Sequence, residues 1–160
     1  MILNRQRRIR VSIPSLEKFL AAARRRLRLP PGSVTVALVS DAQIARWNRA
    51  YRGKNRPTDV LSFPADGSQA EPKNRRKHRP RGAARKARLS ASATPAYLGD
   101  IAIAPAVARR NALRFGRAFN LEMRILILHG ILHLMGYDHE TDHGQMERRE
   151  NLLRRELGLR

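Results

Sequence analysis

Four of the chain's five histidines fall in one stretch, LHGILHLMGYDHETDH, residues 128 to 143. His129 and His133 stand four residues apart, one turn of helix, so both imidazoles can reach a single ion. Gly136 lets the chain leave that helix, and His139 follows three residues later, near enough to return to the same ion. The chain has no cysteine, so a metal site here must be built from His, Asp or Glu. Three neutral imidazoles with an open fourth position are the ligand set of a catalytic zinc site, one Zn2+ per chain, whereas a structural site normally fills all four places. His143 is either a fourth ligand or the solvent-facing start of the next helix. Asp138 and Asp142 are placed to hydrogen-bond the outer nitrogen of a ligand histidine. Glu122, seven residues before His129, could do the same or simply sit in the first turn of the helix.

Spacing of this kind is shared with zinc peptidases, in which the residue after the first histidine is a glutamate that takes a proton from water. Here that residue is Gly130. A glycine in mid-helix costs about 1 kcal/mol relative to alanine. One reason to keep it is close approach of substrate or of another part of the chain. Without the glutamate, peptide hydrolysis is disfavoured. Attack on a phosphodiester is still served by a metal if cations stabilise the added negative charge. Such cations lie in YRGKNRPTDVLSF, where Arg52, Lys54 and Arg56 occupy one short loop. Arginine is suited to bidentate phosphate contact.

The elements that must position these groups can be read around them. Ile9, Val11 and Ile13 alternate with polar residues and predict a strand within residues 2 to 13. Pro14 then opens a helix to about Leu27 carrying Leu16, Phe19, Leu20 and Ala23, which "LPPG" ends. SVTVALVS predicts a second strand. Asp41 is read as the cap of a short helix with Ile44, Trp47 and Tyr51 on one face. DVLSFP and YLGDIAIAP predict the third and fourth strands. Pro105 starts a helix to about Phe115, and Asn120 caps a further one to Met135. A last helix runs from Asp142 or His143 to about Leu157. The sum is an α+β domain, 1–160, with four strands and five helices.

The net charge of +20 draws such a chain to polyanions, of which nucleic acid is the commonest inside a cell. Aromatics are only 5% of residues, which argues against a base-stacking platform of the RRM or OB type. No apolar leader and no run of membrane-spanning length is present, so a cytoplasmic protein without membrane contact is expected. Residues 67–94 hold nine Lys or Arg against a single Glu and almost no large apolar side chain. They read as a disordered basic insertion, with His78 within it merely solvated.

YRGKNRPTDVLSFP, YLGDIAIAP and HGILHLMGYDH, in that order, resemble the signature blocks of the YbeY family of bacterial zinc-dependent endoribonucleases. The resemblance runs along almost the whole chain. It implies a mixed four-stranded sheet packed with helices and a zincin-like metal site, with His129, His133 and His139 as ligands. It places the family's RNA-handling arginine on Arg52; Lys54 and Arg56 of the same basic loop are the further candidate RNA contacts. The activity implied is single-strand-specific, metal-dependent cleavage in maturation of the small-subunit rRNA 3′ end and in ribosome quality control. Partners implied are rRNA and the small subunit, with ribosomal proteins or assembly GTPases as further ones. The long basic insertion departs from the family pattern, as does His143. The competing expectation is a non-catalytic RNA-binding assembly factor whose metal is structural.

Overall fold

The computed structural model describes residues 1–66, 97–138 and 142–159. The 67–94 insertion and His139 therefore lie outside the described residues. Four strands, β1 (Ile2–Asn4), β2 (Val34–Leu38), β3 (Val60–Pro64) and β4 (Gly99–Ile103), form one sheet in the order β1-β2-β4-β3. β1, β2 and β4 are parallel, and β3 runs antiparallel to β4 at an edge. The helices are α1 (Ile13–Arg26), α2 (Asp41–Arg52), α3 (Pro105–Arg114), α4 (Phe119–Leu134) and α5 (Gln145–Glu156). The architecture is thus α+β with a mixed four-stranded sheet, as expected.

Alternation sets the two faces of the sheet. Val34, Val36 and Leu38 of β2 and Ile101 and Ile103 of β4 point to one side, where they join α1, α4 and α5 in the larger core. Ala102 and Leu61 point to the other, against Ile44 and Trp47 of α2. The predicted stripe of α1, Leu16, Phe19, Leu20 and Ala23, is the face it buries. α4 has no polar face to speak of: ten of its residues are buried, from Glu122 to Leu134. It is the central helix, with sheet on one side and α1, α3 and α5 around it.

Three sequence expectations are corrected. The alternation at Ile9, Val11 and Ile13 is not a strand; β1 pairs only over Ile2–Asn4. In its register Asn4 already faces Leu38, the last residue of β2, and Arg5 N–H makes the final bond to the Leu38 carbonyl at 2.8 Å. Beyond that there is no ladder partner, and the Gln6 side chain supplies one locally, bonding both the N–H and the C=O of Ile9 at 2.9 Å. The cap of α2 is Ser40, whose hydroxyl accepts from Gln43 N–H, while Asp41 begins the helix and pairs with Arg110 at 3.1 Å. α4 starts at Phe119 with no side-chain cap; Asn120 instead donates to Ser15 on α1. None of the described helices is long and apolar enough to cross a membrane.

Candidate metal centre

His129 and His133 lie on a side of α4 that is not fully covered; both are half-buried. Their Nε2 atoms stand 3.1 Å apart, with the rings edge to face. Two Zn–N bonds of about 2.05 Å at a tetrahedral angle span roughly 3.3 Å, so the pair already has close to the spacing a zinc ion requires. The Nδ1 of His129 faces a carboxylate, Glu150 Oε2 on α5, at 2.9 Å. An ionised carboxylate only accepts, so Nδ1 donates and Nε2 is left as a bare lone pair. His133 then supplies the hydrogen between the two Nε2 atoms, in the place a cation takes when the pair acts as ligands. The residues present fit the metal.

Glu150 was not among the residues singled out from the sequence. Its other oxygen meets Arg154, one turn further along α5. Burial pushes the Glu150 carboxyl up, but the hydrogen bond from His129 and the charge of Arg154 outweigh it, so the group lies below the usual carboxylate range. A signal was available. Met146, Glu150 and Leu153 are spaced i, i+4, i+7 and are the buried face of α5, so a carboxylate stands in the middle of an apolar stripe.

Of the two aspartates read as partners of the histidines, Asp142 has both carboxylate oxygens occupied otherwise. Asp142 is engaged by the backbone: Oδ1 accepts from Gly144 and Gln145 N–H at 2.8 and 3.1 Å, and Oδ2 from Met146 N–H at 2.7 Å. It holds the start of α5, whose first residue is Gln145 rather than 142 or 143. Asp142→Ala is expected to lower stability by about 1–2 kcal/mol through the lost cap, as chemical denaturation would measure. Asp138 follows the end of α4, half-buried, and its carbonyl accepts from Asp142 N–H at 2.9 Å. Glu122 pairs with Arg117 at 3.0 Å in the first turn of α4. His143 is exposed, and its carbonyl accepts from Arg148. Among the described residues no group of three or more His, Cys, Asp or Glu is arranged to hold a metal. Of the three histidines expected as ligands, His129 and His133 lie among the described residues.

Gly130 is buried, and position 130 is turned into the sheet. A Cβ there would lie 2.7 Å from Cγ2 and 2.9 Å from Cδ1 of Ile101 on β4. The glycine therefore serves close packing of helix on strand, with no room for a glutamate base. On the same seam the Ser62 hydroxyl donates to the Gly130 carbonyl at 3.2 Å, tying α4 to edge strand β3.

The cations predicted from the loop do converge. Arg52, Lys54 and Arg56 line a cleft of about 250 Å³ with Asn48, Asp59, Val107 and Asn111. Gly53 closes α2 in the left-handed conformation. Buried Asn48 then holds the loop from both ends: its side chain donates to the Arg56 carbonyl at 2.8 Å, and its carbonyl accepts from Lys54 N–H. Asp59 takes Asn111 of α3 at 2.9 Å. Asn48, Asp59 and Asn111 come from three separate elements, which is why the sequence did not group them. Asp59 stands three residues before Ser62 on the same stretch of chain, about 10 Å at ~3.4 Å per residue. The cleft thus stands at the start of β3, the strand that Ser62 ties to the histidine-bearing helix.

The family model described as Endoribonuclease YbeY matches residues 2–158. A curated relative of that name from Koribacter versatilis is 37% identical over 161 residues, covering 99% of this chain and 86% of its own. One from Geobacillus kaustophilus is 36% identical over 131 residues, covering 81% of this chain and 75% of its own. A Thermotoga maritima protein solved in solution superposes with a TM-score of 0.56 at 26% identity, over 98% of this chain and 89% of that one. A cation cleft at the start of β3 and a histidine pair on α4 are parts an RNA-cleaving enzyme can use, and by its sequence this chain belongs to the endoribonuclease YbeY family.

Proposed function

We propose that the protein is a metal-dependent endoribonuclease specific for single strands, with His129, His133 and His139 as ligands of one zinc ion. The observation that carries this reading is the 3.1 Å approach of two imidazole nitrogens on the helix that Ser62 ties to β3, the strand that begins at the Arg52–Lys54–Arg56 cleft. A bound zinc ion supplies Lewis acidity toward a phosphoryl oxygen and lowers the pKa of water. The rest is done by the chain. Arg52 and Lys54 hold the phosphate oxygens next to the scissile bond, where they stabilise charge that grows in the transition state. Arg56 extends the grip to a neighbouring phosphate. Ile101 and Gly130 keep α4 seated so that the imidazoles stay on the open side.

The substrate favoured is ribosomal RNA of the small subunit near its 3′ end, in maturation and quality control, as the resemblance of the motif blocks implies. Ribosomal proteins and assembly GTPases are the partners such work would bring, in the cytoplasm. The reading as a non-catalytic factor with a structural metal is less well supported, because His143, the candidate fourth ligand, is exposed.

The experiment is cleavage of a small-subunit rRNA precursor by purified His129→Ala and Arg52→Ala proteins, with filter binding across a salt series. His129→Ala is expected to bind RNA normally and not cut it. Arg52→Ala is expected to cut at least about 10-fold more slowly, and its slope of log affinity against log salt falls by about 0.7–0.9. Full cleavage by both variants would overturn the proposal.

A further inference from the structure

We propose that Glu150 is the positioning residue of the metal centre, holding His129 as the Nδ1–H tautomer with Nε2 aimed at the ion. This rests on the metal-binding reading above and adds to it a residue from a different helix.

The argument starts from what Glu150 displaces. Met146 and Leu153 flank it on the buried face of α5 and pack into the main core. A leucine or methionine between them would continue that face. A carboxylate there loses hydration, and this cost is offset only by the groups it meets, Arg154 and His129 Nδ1. For stability alone an apolar residue is at least as good, since buried ion pairs replaced by hydrophobes are often neutral or gain stability. What an apolar residue cannot do is accept from Nδ1. Without that acceptor the His129 ring is at liberty to carry its hydrogen on Nε2, which blocks the nitrogen facing His133 across 3.1 Å. Arg154 completes the device. It bonds the second oxygen of Glu150 and so fixes the plane of the carboxylate that fixes the ring. The chain Arg154–Glu150–His129 hands orientation from α5 to α4, as outer carboxylates do for ligand histidines in metal sites generally.

The test compares full-length wild type, Glu150→Met, Glu150→Gln and His133→Ala. Three quantities are read: thermal unfolding of the metal-stripped protein, Zn2+ affinity by chelator competition, and the His129 tautomer from long-range 1H–15N NMR correlations. Glu150→Met is expected to keep or raise the metal-free unfolding temperature while zinc affinity falls about 10–100-fold. In the same variant the Nδ1–H signature of His129 is lost. Glu150→Gln, which keeps an acceptor oxygen, restores the tautomer and most of the affinity. Wild-type zinc affinity in Glu150→Met, with His133→Ala clearly weakened, overturns the role of Glu150 alone. So does a loss of affinity that tracks loss of metal-free stability and is not rescued by glutamine. Equal zinc affinity in wild type and His133→Ala overturns the metal centre itself.

Discussion

His133→Ala will abolish specific zinc binding and lower RNA cleavage by more than about 100-fold, beyond the range seen when only an outer carboxylate is removed. The fold should stand without it. His133 is half-buried at the rim of α4, and its ring makes no part of the apolar core, so the metal-free protein is expected to lose less than about 1 kcal/mol. The difference between variant and wild type then emerges only with the ion. At a zinc concentration about 1,000 times the dissociation constant, binding adds roughly 4 kcal/mol to the native state, and this increment vanishes in the variant. Differential scanning calorimetry with and without zinc measures it. An undiminished zinc-induced rise in unfolding temperature would mean that the ion sits elsewhere.

Gly130→Glu, the single change that would write a peptidase motif into α4, will instead unfold or severely weaken the protein. Glutamate has the better intrinsic helix propensity, by somewhat under 1 kcal/mol. Against this stands a Cβ 2.7 Å from the branched Cγ2 of Ile101, itself fully buried and stiff about χ1. The carboxylate would be driven into the contact between helix and sheet with no cation to meet it, so a loss of about 3 kcal/mol or more is expected. Gly130→Ala isolates the steric part at about 1–3 kcal/mol before its own propensity gain. If the crowding comes from Ile101, the double variant with Ile101→Ala is more stable than the two single losses predict. Strict additivity in urea unfolding would show that the seam is not what selects glycine.

The elements carrying the site were legible in the sequence to different degrees, for reasons particular to each. α4 could be found from its length, its terminal Gly136 and its apolar content. Its orientation could not, since a helix buried nearly all round has no stripe to read. The histidine spacing did the work that periodicity could not, by marking the side left open. The cation loop was legible because its residues are adjacent in sequence. The cleft they line was not, because α3 contributes Asn111 from more than fifty residues away. The strand expected at Ile9–Ile13 failed for a reason no local pattern contains, namely that β2 ends at Leu38 and leaves nothing to pair with. Glu150 could have been noticed as a charge in an apolar i, i+4, i+7 series. Its partner His129 lies 21 residues back on another helix and only the tertiary structure names it.

The clamp that Asn48 places across the Arg52–Arg56 loop bears on timing. Because the loop backbone is tied at both ends before any ligand arrives, an RNA held there as proposed has little backbone ordering to impose on it, and that part of the entropy of gathering three cations has already been spent in folding. Encounter, rather than rearrangement, then sets how fast the complex forms. Added salt will act mainly on the association rate, by weakening the field that draws the strand in, and the cleft's cations will be felt by an RNA before it touches them.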